Sequence, residues 1–75
     1  MKILTNGKLM YMIVEDHVYI EDLPESTDEI NWEYDWEQQN PEIKTIQDIR
    51  REFPFLFNPK HPFYIPNLKL VEINQ

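Results

Sequence analysis

The sequence contains no cysteine and no alanine, a single glycine, and not one Lys or Arg between residues 15 and 42 of its 75. Without cysteine there is neither a disulfide framework nor a thiolate metal site, so a reducing, cytoplasmic setting is expected. Gly7 alone cannot make a phosphate-cradling loop, which needs several glycines for the backbone to close on its ligand. Long apolar runs are missing too. The longest, residues 9–14, falls far short of the ~20 residues that a bilayer span requires. Polar Thr5, Asn6, Gly7 and Lys8 interrupt the stretch in which a signal peptide would be apolar. No membrane partner and no leader are expected. Shortness excludes a great deal more, because domains under roughly 70 to 80 residues draw only ~3 to 5 kcal/mol from their core. One domain over residues 1–75 is expected, with no room for a deep catalytic cleft.

What is present argues for a folded chain. Hydrophobic residues make up 41% of it, with ten aromatics, far more than in a disordered acidic tail that cannot offset its chain entropy. Charge is strongly segregated. Residues 1–14 carry only Lys2 and Lys8. Residues 15–42 carry eleven acids (Glu15, Asp16, Glu21, Asp22, Glu25, Asp28, Glu29, Glu33, Asp35, Glu37 and Glu42) with no base, and residues 43–75 are again slightly basic, for a net charge of -7. Self-repulsion within such a block opposes compaction. It is therefore solvated, neutralised by the chain's own cations Lys44, Arg50 and Arg51, or turned toward a cationic partner. An unpaired block gains stability from salt or mild acid, whereas a block paired to those cations loses it.

Period-two patterning dominates the first third. Lys2–Thr5 and residues 8–14 flank Asn6-Gly7, a dipeptide suited to a type I′ turn with positive φ at both positions. The second of these strands is apolar on both parities, as a central strand covered on both faces requires. Glu15-Asp16 can then turn the chain into a third strand at residues 17–21, rich in β-branched and aromatic side chains.

In residues 28–37, Ile30, Trp32, Tyr34 and Trp36 alternate strictly with polar residues, predicting a strand with an aromatic and a carboxylate face. A helix capped by Ser26 competes, yet it would have no clean apolar face and would stack Glu29, Glu33 and Glu37 at unfavourable i,i+4 spacing. Asn40 as N-cap and Pro41 as first residue predict the next helix, with Ile43, Ile46, Ile49 and Phe53 on one face, Arg50 and Arg51 in the last turn, and Pro54 ending it. Residues 53–67 hold four prolines and five aromatics, an extended segment expected to cross the sheet or form a rigid contact surface. A last strand is expected at residues 68–73. The fold class is thus α+β, an antiparallel sheet of four to five strands in the order β-β-β-(β)-α-β with one helix on one face.

Reactive constellations are sparse. His17 and His61 lie far apart in sequence with no further ligands at metal spacing, Ser26 has no nucleophile signature, and the EF-hand pattern is absent. No catalytic residue, metal or cofactor is expected, and the chain is expected not to be an enzyme. Nor is nucleic acid a direct partner, since phosphate binding rests on clustered Lys and Arg. The carboxylates remain. On a strand Glu29, Glu33, Asp35 and Glu37 would share a face about 6.8 Å apart, with Trp32, Tyr34 and Trp36 between them as aromatic anchors where exposed.

The expected function is a non-catalytic inhibitor or modulator presenting residues 28–37 to the basic groove of a nuclease or other nucleic-acid-binding protein. In size and charge the chain resembles the small acidic nucleic-acid mimics of phages and mobile elements; no residue is carried over from them. The alternative is a small structural or accessory subunit that binds through residues 53–67, where proline pre-sets the backbone and aromatics add area.

Overall fold

The computed structural model describes residues 1–15 and 17–74, so the Glu15-Asp16 turn is followed only at Glu15 and Asp16 lies outside the described residues. Strands β1 (Lys2–Thr5), β2 (Leu9–Val14) and β3 (His17–Asp22) are followed by helices α1 (Trp36–Gln39) and α2 (Ile46–Glu52) and by β4 (Lys69–Glu72). The strands make one antiparallel sheet in the order β3-β2-β1-β4, and α2 is the main helix, so the domain is α+β. Successive side chains of a strand point to opposite faces. Leu4, Tyr11 and Ile13 therefore join a core with Trp36, Ile49, Leu56 and Leu68, while Ile3 and Met10 join a second core on the other face with Ile30 and Tyr34. Both parities of β2 are used, as its composition demands.

The first hairpin departs from the I′ expectation. Asn6 keeps a negative φ, and the positive value falls on Gly7 at 98°. The cause lies in the Asn6 side chain, whose Oδ1 accepts the N–H groups of Lys8 at 2.9 Å and Leu9 at 2.8 Å. These bonds make Asn6 the first corner and Gly7-Lys8 the centre of the turn. Glycine at the first central position suits the twist of the flanking strands. In the second hairpin Val14 pairs with His17, and Glu15 has φ 56°.

Residues 28–37 form neither the expected strand nor a single helix. The chain makes two short 3₁₀ turns, Thr27–Glu29 and Trp32–Tyr34, then α1, with Ser26, Asn31 and Asp35 as successive side-chain N-caps. The alternation misleads because its aromatics serve different faces: Ile30 and Tyr34 cover one side of the sheet, and Trp36 enters the core on the other. The passage occurs beside the start of β1, where Asp35 Oδ1 accepts the Lys2 backbone N–H at 3.1 Å.

The main helix also starts later than Asn40-Pro41 predicts. Asn40 ends α1, its N–H donating to the Trp36 carbonyl, and residues 40–43 form a turn that brings the Ile43 carbonyl within 2.7 Å of the Trp36 indole N–H. The cap of α2 is Thr45, which forms a reciprocal capping box with Asp48. Arg51 pairs with Asp48. The Thr45 hydroxyl, backbone N–H groups of Thr45 and Lys44, and Arg51 hold the Asp48 carboxyl below its ordinary 3.8. Stabilisation from a depressed carboxyl is present above about pH 4 and is lost as pH falls through the folded value. Pro54 does end the helix, opening a 3₁₀ turn at Pro54–Phe57. Residues 53–67 are thus folded back rather than extended, with the Ile65 N–H donating to the Leu56 carbonyl at 2.9 Å.

Trp36 is 1% exposed, donates to Ile43 and meets Phe53 edge-on at a ring separation of 6.4 Å. Trp36→Ala is expected to cost about 3–5 kcal/mol, comparable to the whole stability of a domain this small. Thr45→Ala should cost about 1 kcal/mol. Urea denaturation followed by circular dichroism checks both: the first variant should be largely unfolded without denaturant, and the second should fold with a lowered midpoint.

Candidate functional site

The seven residues singled out between 28 and 37 divide into a buried and an exposed set. Trp36 is wholly enclosed and Tyr34 is 6% exposed, so neither can serve as an anchor for a partner. Asp35 caps α1 through the Glu37 N–H at 3.2 Å and also holds Lys2, which makes it a tie between α1 and the sheet. The regular row of carboxylates does not form, because the extended residues Ile30 and Asp35 separate the turns and break both the strand and the one-turn spacing. Left facing water are Glu29, Glu33, Glu37 and Trp32, the last 70% exposed. A tryptophan that open, between carboxylates and carried on a capped 3₁₀ turn, is positioned by Asn31 Oδ1, which accepts the Glu33 N–H at 3.0 Å.

The acidic block has no cation of its own. Among the described residues Arg51 with Asp48 is the only ion pair, and Asp48 lies outside residues 15–42. Arg50 sits over the Phe57 ring at 4.8 Å instead. Lys2, Lys44 and Lys69 line a cleft of about 420 Å³ where β4 approaches the start of α2. Glu21 reaches the Tyr34 hydroxyl. Burial first, then the charge and hydrogen bond of Glu21 and the charge of Glu33, push the Tyr34 phenol above its ordinary 10.0, and burial does the same to Tyr11.

Residues 53–67 contribute a surface as well. Phe63 is 58% exposed and Tyr64 is exposed beside it. Together with Pro62, Ile65, Val18 and Ile20 they line a groove of about 260 Å³ whose floor reaches Tyr11. His61 is part of this scaffold: its ring lies 5.3 Å from Phe55 and 5.7 Å from Phe63, and its Nδ1 accepts the Phe63 N–H. Sequence reasoning missed Ile20 as a surface residue, because the residue pattern of 17–21 does not show which strand ends the sheet. Among the described residues no three His, Asp or Glu side chains stand close enough to hold a metal ion, and no helix is long and apolar enough to cross a membrane. No protein-family model matches the chain, and no curated protein or solved structure matches it either.

Two solution measurements test the electrostatics. With the block unpaired, added salt should raise the melting temperature by a few degrees, given that ~1 kcal/mol corresponds to roughly 4–8 °C in a domain of this size. For tyrosine, a raised folded pKa means stability that is complete below about pH 10 and falls as pH rises through the folded value. Alkaline unfolding should therefore begin above pH 10 and be shallower in Tyr34→Phe. A melting temperature that drops with salt would show that the carboxylates are held by cations.

Proposed function

We propose that this protein acts without catalysis, by binding the cationic surface of another protein through the exposed turns of residues 28–37. The single observation that supports the reading is that the acidic block forms no ion pair within the chain, among the described residues, while Arg51 pairs with Asp48 and Arg50 lies over Phe57. Solubility alone does not require eleven acids in one stretch. Glu29, Glu33 and Glu37 would draw the partner in and raise the association rate. Trp32 would be the anchor, since interface hot spots favour tryptophan at a site that becomes desolvated. The partner's surface is basic, of the kind that nucleic-acid-binding proteins carry, and blocking it would inhibit or modulate that protein.

A second reading has its own support in the exposed Phe63 and Tyr64 beside Ile20: an accessory subunit docking through residues 53–67, with the acids serving only as solvent-facing charge. The two separate by salt, which weakens a charge-led complex strongly and an apolar one little.

Capture of partners from a lysate by the immobilised protein, with identification by mass spectrometry, supplies the binder, and variants then test the face. Glu33→Lys with Glu37→Lys should slow association with that binder and flatten its salt dependence while leaving the thermal melt intact. Trp32→Ala should cost about 2 kcal/mol of affinity. If the charge-reversed variant binds as fast as the wild type at low salt, the acidic turns are not the contact.

A further inference from the structure

We infer that the outer edge of β3 is a docking site for an extended peptide strand whose side chains alternate between apolar and basic. The inference rests on the proposed cationic partner for the sign of the peptide's charge, and on β3 for everything else.

β3 ends the sheet, with β2 on one side and, among the described residues, no strand on the other. Which of its backbone groups are free follows from the register. Leu23 donates to the Lys8 carbonyl at 3.1 Å, and hydrogen-bonded and non-bonded pairs alternate along an antiparallel ladder. His17, Tyr19 and Glu21 therefore face β2, while the N–H and C=O groups of Val18, Ile20 and Asp22 point outward from the sheet. An added strand would lie about 4.8 Å beyond them and take up these bonds.

The two faces flanking that edge differ in character. On one face Val18 and Ile20 open into the groove walled by Pro62, Phe63, Tyr64 and Ile65, and Ile20 is itself 59% exposed. On the other face lies Glu21, close enough to Tyr34 to hydrogen-bond its hydroxyl, with Glu33 contributing charge at the same hydroxyl. A strand seated on the edge would send alternate side chains to each face. One set meets the apolar groove at Val18 and Ile20, with Asp22 at its end, and the other meets Glu21 beside His17 and the exposed Tyr19, so apolar side chains suit the groove and basic ones suit Glu21 and Asp22.

A second copy of this chain fits poorly. β3 carries Glu21 and Asp22 with no Lys or Arg, and each chain has a net charge of -7. Repulsion between two such copies opposes their association. The occupant is thus a cationic strand from another protein.

The test uses the full chain and a synthetic peptide of about eight residues, a usual strand length, alternating Val and Lys. Binding is followed by calorimetry and by amide hydrogen exchange. The expected result is saturable binding with slowed exchange at the Val18 and Ile20 amides. The same peptide N-methylated at every second backbone nitrogen should bind at least about tenfold more weakly. Ile20→Asp, at an exposed position that tolerates the change, should also weaken it. Equal binding of the N-methylated peptide would overturn strand addition while leaving the cationic reading in place. Equal binding of a Val-Glu peptide would overturn the charge assignment and the cationic reading with it. Sedimentation showing a dimer that Ile20→Asp dissolves would assign the edge to a second copy and reject the proposal.

Discussion

The constraint from which the rest follows is that β2 is apolar on both faces in a chain whose main helix, α2, spans seven residues. Met10 and Met12 project to one side, Leu9, Tyr11 and Ile13 to the other, and neither side can be left in water without forfeiting about 25 cal/mol for each Å² of apolar surface. Helix α2 and the folded-back aromatics of residues 53–65 cover one face. The other has to be covered by the acidic stretch, which supplies Leu23, Ile30 and Tyr34 and then turns past Lys2 to insert Trp36 into the first core. A segment with that task cannot be a strand, because its apolar residues must face two sides of the sheet.

The same constraint sorts the charges. Once Ile30, Tyr34 and Trp36 are committed inward, every carboxylate on the turns between them must point away from the two cores, where an unpaired charge would be prohibitive. Side-chain caps from Ser26, Asn31 and Asp35 close each short turn locally, so the segment holds its shape without a helix long enough to stack like charges. Trp32 is the one large apolar residue of residues 28–37 that neither core accepts. Its exposure is a consequence of the wrap and at the same time the feature most open to a partner.

How much of this was legible follows from the kind of signal each element carries. Strands β1 to β3 and β4 depend on local alternation between turn residues, and residue pattern located them to within a residue or so at each end. The helix was found but placed too early, because Asn40-Pro41 looks like a start while the true cap is the Thr45-to-Asp48 box a few residues on. Sequence could have identified that box, since a Thr followed three residues later by an acid is the same kind of signal. The wrap of residues 28–37 was not legible. Alternation is identical whether the side chains face one sheet or pass around its end, and only the tertiary bond from Trp36 to Ile43 decides it. For the same reason the four carboxylates were foreseen as charged surface but not as an interrupted set, and Tyr34 and Trp36 could not be told from Trp32.

Placement of charge at the two sheet edges carries the functional argument one step further. Both open strands carry acid, as protection against edge-to-edge pairing requires, but β3 carries Glu21 and Asp22 with no Lys or Arg, while β4, at the opposite end of the sheet, sets Lys69 against Glu72 beside a cleft shared with Lys2 and Lys44. The β3 edge is therefore the more negative of the two, and a field that differs between the edges orients an approaching molecule as well as attracting it. Beside the β3 edge, Glu21 and Glu33 act on the Tyr34 hydroxyl on one face and the Phe63 groove opens on the other, whereas Glu37 lies beside Lys2 and Lys44. Of the two open edges, the one without Lys or Arg is also the one that borders the apolar groove, a coincidence that solubility alone would not require.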